Sequence, residues 1–259
     1  MALCSSANSA CNRLRPTQLF SLTEEFVTVY RMHTLMPDHF TIVSAETGVG
    51  LANADLPELS GRRGVEFLAR FSPADLFYSF GTHHPGAVRL HNFPKFLQNL
   101  EQDNGERFDL GTVDILRDRE RGVPRYNRFR ELLHKPPVRS FEELTDVPAW
   151  ADEMKRVYSN KLELVDTMVG LMAEPVPAGL GFSETAFRIF LLMASRRLKS
   201  DRFLSQDYRD EIYTKAGIQW VEENTMKSVI SRHFPSVAFA MQGIADDNAF
   251  KPWKPRPAR

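Results

Sequence analysis

The chain has 259 residues, 42% hydrophobic and 25% charged, enough to bury one sizeable core and too apolar to be disordered throughout. Lysine plus arginine equals aspartate plus glutamate at 33 each, so no global field favours nucleic acid or an anionic membrane. The longest apolar run, Ile189 to Ala194, is too short to span a bilayer, and Cys4 and Cys11, the two cysteines, fit neither a disulfide framework nor a metal motif.

Residues 1–21 contain no acidic side chain and several Ser and Ala, and are expected to be a disordered or non-native leader. A helix is expected from Thr23, with Glu24 and Glu25 in its first turn and Pro37 just past its end. That reading puts Phe26, Tyr30 and His33 on one face. An aromatic residue and a histidine so placed are ordinarily core residues with satisfied hydrogen bonds.

Residues 38–61 read as an irregular connection with a short strand at His39–Val43, and Gly48-Val49-Gly50 as a turn, since no strand-to-helix pattern flanks it. Helical periodicity is expected over 64–71, over 73–80 behind Ser72-Pro73, and over 93–102. His83, His84 and His91, in the loop between the last two, have no cysteine or well-spaced carboxylate to complete a metal site and read as loop hydrogen-bonding residues. Gly122 closes a helix end rich in charge, and further helices are expected over 124–134, 148–157, 160–172, 183–199, 216–224 and 226–233. Ser140 opens a short helix as N-cap, with Glu143 placed to close a capping box. The fold class is mainly α, with one helical domain over 22–250 and an extended or disordered tail over 251–259.

Two stretches are more specific than periodicity. Glu25-Phe26-x-x-x-Tyr30-Arg31-Met32-His33-x-Leu35-Met36-Pro37-Asp38 resembles the proximal-haem helix of the peroxidase and cyclooxygenase superfamily, the animal haem peroxidases, and Tyr-Arg-Met-His looks like its fatty-acid alpha-dioxygenase branch. Asp114-Ile115-Leu116-Arg117-Asp118-Arg119-Glu120-Arg121-Gly122-Val123-Pro124-Arg125-Tyr126-Asn127 resembles the signature that follows that helix. Without the resemblance, it is a solvated charged face. Glu163 to Pro175, and Ser183 to Phe203, are similar to the family as well.

The resemblance implies the C-terminal helical portion of the animal haem peroxidase-like fold and an oxidoreductase of the peroxidase or fatty-acid dioxygenase type. Haem iron would be the cofactor, His33 its metal ligand, and Asp114 the acceptor of the imidazole's second N–H. Tyr30 would be catalytic, carrying a peroxide-driven radical. The implied partners are hydrogen peroxide, dioxygen and either a fatty acid or a small-molecule donor, with Arg196 or Arg197 holding a fatty-acid carboxylate. Arg202 reads as structural. In this family the distal histidine and a calcium-binding loop precede the proximal helix, and about 22 residues do so here. The expectation is therefore a truncated enzyme lacking the distal histidine and an N-terminal half. The alternative is a catalytically inactive helical remnant that binds a partner.

Overall fold

A computed structural model describes residues 22–259 apart from 60, 103, 246–247, 250, 252 and 258–259, so the leader expected at 1–21 and both cysteines lie outside the described residues. The chain opens with α1 (Glu24–Val29), the hairpin β1 (His39–Val43) and β2 (Gly50–Asp55), α2 (Gly61–Leu68) and α3 (Pro73–Thr82). Two short strands, β3 (Leu100–Glu101) and β4 (Arg107–Phe108), precede α4 (Leu110–Glu120), α5 (Tyr126–Leu132), α6 (Phe141–Leu144) and α7 (Pro148–Val157). Then come α8 (Thr167–Ala173), α9 (Glu184–Ser200), α10 (Asp210–Tyr213), α11 (Lys215–Glu223) and α12 (Met226–His233). The fold is mainly α, as the sequence predicts. Among the described residues no helix is long and apolar enough to cross a membrane.

The chain divides into two compact units. One joins the segment up to Met36 with Ala87–Tyr208, and the other joins Pro37–Gly86 with Arg209–Arg259. In the first, α1 packs on α4, α8 and α9, and α5 packs on α8. Phe26, Val29, Tyr126, Phe129, Leu144 and Ile189 are among its buried core. Gly170 permits the α5–α8 approach: a Cβ there would lie 2.2 Å from Tyr126 Cδ2. Asp109 caps α4 by accepting from the Thr112 amide at 3.1 Å, and Gly122 just beyond its end has φ +73°, as a helix-terminating glycine should. Ser140 caps α6 through the Glu143 amide at 3.2 Å, but the Glu143 carboxylate accepts from the Arg139 amide at 2.6 Å, so only half of the expected capping box forms.

Two expected helices are interrupted. Over 93–102 the structure has a 3-10 turn at Lys95–Asn99 that leads directly into β3. Over 160–172 the α-helix starts only at Thr167, because Ser159 and Asn160 take left-handed backbone angles and Leu162–Leu164 form a 3-10 turn.

In the second unit β1 and β2 pair antiparallel from His39–Asp55 to Ile42–Ala52, with an irregularity between Ile42 and Val43. The strand at 39–43 is as expected, and its partner strand is not. Tyr78, Ile230, Val237, Met241 and Trp253 form its buried core. Within the stretch read as a tail, Trp253 is 3% exposed, and its indole N–H donates to the Ala249 carbonyl at 2.6 Å. Burying that indole outweighs the helix-breaking prolines around it.

Candidate functional site

The α-helix expected to run from Thr23 to Pro37 ends at Val29, and a single 3-10 turn, His33–Leu35, follows after Tyr30. The run Val27-Thr28-Val29 is β-branched, and the Thr28 hydroxyl lies 2.9 Å from the Glu24 carbonyl oxygen, both of which weaken a helix. Met36 is extended ahead of Pro37, as a residue preceding proline prefers.

This break shapes the site. In a regular helix, residues two apart do not face the same way, yet Arg31 and His33 both reach Asp114 on α4. Arg31 Nε lies 3.3 Å from Asp114 Oδ1, and His33 Nδ1 lies 3.5 Å from Oδ2. Asp114 is 0% exposed and His33 26%. Both contacts are longer than ordinary hydrogen bonds, and Arg31 Nε, His33 Nδ1 and both Asp114 oxygens are buried without a hydrogen-bond partner. The imidazole is also edge-on to Phe93, with ring centroids 5.7 Å apart.

One turn along α4, Asp118 is 5% exposed and faces the Thr28 hydroxyl at 2.9 Å. Burial pushes its carboxyl up to about 6, against the pull of the Thr28 hydrogen bond and Arg31. Arg121 and Glu24 pair across α4 and α1.

Tyr30 caps the end of α1 and is 50% exposed. Its ring packs on Phe26, with centroids 4.4 Å apart, and stacks on Phe190 of α9 at 5.9 Å. Arg197 lies seven residues beyond Phe190, two helical turns or about 10 Å along the same face. It keeps a loose contact with Asp201 at 3.7 Å. Arg196 is half-buried, on a different face of α9. Arg202 pairs with Asp207 at 2.8 Å, in keeping with a structural role.

His83 Nδ1 lies 3.0 Å from the Ser79 carbonyl oxygen and His91 Nε2 2.6 Å from Glu153, each within its own unit. Among the described residues no group of three or more His, Cys, Asp or Glu stands ready to hold a metal ion. Periodicity does not single out Arg31 or Asp118. Their signal is the occurrence of charged residues at positions that flank the two motif residues, His33 and Asp114.

The family model for animal haem peroxidase matches residues 4–245. Alpha-dioxygenase PIOX of Oryza sativa subsp. japonica is 39% identical over 249 residues, which cover 90% of this chain and 40% of that protein. A crystal structure of an Oryza sativa fatty acid alpha-dioxygenase variant with palmitic acid superposes with a TM-score of 0.83 at 38% identity, over 90% of this chain and 40% of that one. Peroxidase A from Dictyostelium discoideum shares the fold at 22% identity, with a TM-score of 0.73 over 89% of this chain and 43% of its own. The chain therefore spans about 40% of the length of the curated relatives it matches. It belongs to the animal haem peroxidase family.

Proposed function

We propose that this chain carries the haem-ligand side of a fatty-acid alpha-dioxygenase-type oxidoreductase, with His33 as the iron ligand and Asp114 as the acceptor behind it. The observation that carries this reading is the approach of the fully buried Asp114 carboxylate to His33 Nδ1, with both groups lacking other hydrogen-bond partners. When bound, haem supplies redox-active iron and four porphyrin nitrogens, so one imidazole completes the protein's ligands on that side. The residues present fit that need. A carboxylate facing Nδ1 selects the tautomer with the proton on that nitrogen, leaving Nε2 as the donor. Arg31 lies on the other oxygen of Asp114, at 3.3 Å.

Tyr30 is the hydrogen-atom relay. As a radical first generated with peroxide as oxidant, its phenol oxygen would take a hydrogen atom from the carbon next to a fatty-acid carboxylate, dioxygen would add to the carbon radical, and the resulting peroxyl would take the hydrogen atom back from the Tyr30 phenol, giving a hydroperoxide and renewing the radical. Packing against Phe26 and Phe190 holds the ring while half of the residue stays open to a substrate. Arg197, on the same face of α9 as Phe190, holds the carboxylate through its guanidinium fork, with Arg196 as the neighbouring cation.

The test is oxygen uptake by the haem-loaded chain supplied with peroxide and palmitic acid. Tyr30→Phe is expected to abolish uptake while retaining haem, and an active Tyr30→Phe variant would remove the radical role. Haem uptake without oxygen consumption in the unsubstituted chain would favour a non-catalytic helical module that binds a partner. The exposed Leu191, Leu192 and Leu198 of α9 are the observation behind that second reading.

A further inference from the structure

The α4 helix presents a second face. Asp114 and Asp118 look towards Arg31, His33 and Thr28, whereas Ile115 and Arg119, each one residue further on, line a cavity of about 540 Å³. That is within the size range of small-molecule sites. Asp166, 4% exposed, organises one wall. Arg119 donates to it through Nε at 2.9 Å and Nη2 at 2.6 Å, the Tyr158 hydroxyl donates at 2.9 Å, and Arg125 donates through Nη1.

One carboxylate therefore serves two guanidiniums. Arg119 Nη1 and Arg125 Nε and Nη2 keep donors without a protein acceptor among the described residues. Lys161 adds a third cation to the lining, and the other acid, Glu153, is engaged by His91 at 2.6 Å. Three cations against two carboxylates leave one positive charge. Apart from Ser159, the remaining lining is apolar: Leu90, Ile115, Met154, Val157, Leu164 and Val169. Two lining residues, His91 and Ser159, hold left-handed backbone angles of +62° and +53°, which non-glycine residues adopt at a cost.

We propose that this cavity is a binding site for an amphipathic monoanion, with its carboxylate on Arg119, Arg125 and Lys161 and its hydrocarbon body against the apolar wall. A neutral ligand leaves the charge uncompensated and a polyanion exceeds it, whereas guanidinium edges fixed by Asp166 are preorganised for the planar carboxylate. Burial pushes the Tyr158 hydroxyl up to about 12, so it remains a donor to Asp166 and does not compete as an anion. None of Tyr30, His33, Arg196 and Arg197 lines the cavity, so the inference is independent of the haem reading.

Calorimetric titration of the full haem-free chain with decanoate tests it, with decanol as the neutral probe. Decanoate is expected to bind saturably at one site and decanol at least tenfold more weakly. Lys161→Ala and Val157→Trp change exposed side chains that the fold tolerates; the first is expected to weaken decanoate several-fold, and the second to block it by filling the cavity. These titrations are made in an Arg196→Gln/Arg197→Gln background, so that the carboxylate holders proposed on α9 do not contribute to the decanoate signal. Non-saturating decanoate binding, equal binding of decanol, or undiminished decanoate binding in Lys161→Ala and Val157→Trp would overturn the proposal.

Discussion

The proposed site turns on a single carboxylate shared by two neighbours. Asp114 turns one oxygen to Arg31 and the other to His33, so the guanidinium and the imidazole share one buried side chain. Asp118 behaves differently. The Thr28 hydroxyl lies 2.9 Å from both the Glu24 carbonyl oxygen and Asp118, yet it has one proton to give. A protonated Asp118 resolves this by donating to Thr28, which donates to Glu24. With its carboxyl raised from 3.8 to about 6, the native state keeps a proton that the unfolded chain releases. The resulting stabilisation is fully present below the unfolded value and is lost as pH rises through about 6. Urea unfolding of the parent between pH 4 and 7 should therefore lose about 2–3 kcal/mol relative to Asp118→Asn. Parallel profiles for the two proteins would contradict that. The two motifs single out His33 and Asp114, whose side chains lie 3.5 Å apart. Arg31 and Asp118 were not legible there, because their role depends on a break in the helix.

That break belongs to the scale of elements. The sequence reading extends one helix through His33 because Glu24 and Glu25 mark its start and Pro37 offers the next stop, and it underweights the β-branched run that stops α1 at Val29. Where capping and periodicity agree and no tertiary contact competes, the reading holds: α7 and α12 occupy Pro148–Val157 and Met226–His233. It fails at 160–172, where Asp166 is drawn into the side-chain network with Arg119, Arg125 and Tyr158. No local pattern announces such a network. The α5–α8 contact gives a direct check on packing. Gly170→Ala sets a methyl against the fixed Tyr126 ring and should destabilise by about 2–3 kcal/mol in chemical denaturation. A change below about 0.5 kcal/mol would mean that the two helices separate freely.

For the whole molecule, composition and periodicity made the helical class legible but not the interleaving of two units, since the contacts that define them join segments far apart in sequence. The tail shows this most clearly. Its prolines and lysines read as solvated, whereas Trp253 sits in the second unit's core and covers Gly81, where a Cβ would lie 2.0 Å from the indole. Trp253→Ala should cost about 3–5 kcal/mol in thermal or chemical unfolding. Near-neutral behaviour would place the tail outside the core. The two motifs place His33 and Asp114, the proposed iron ligand and its proposed acceptor, on two elements, the turn after α1 and α4, that fold together within one unit.

Haem titration of the chain, followed by the Soret band, bears most directly on the central claim. The parent and Tyr30→Phe should take up haem with a ligand-shifted Soret band, Asp114→Asn should retain the band with weaker affinity, by about 10- to 100-fold, and His33→Ala should lose it. Haem uptake by His33→Ala with the parent's spectrum and affinity would contradict the assignment of His33 as the iron ligand.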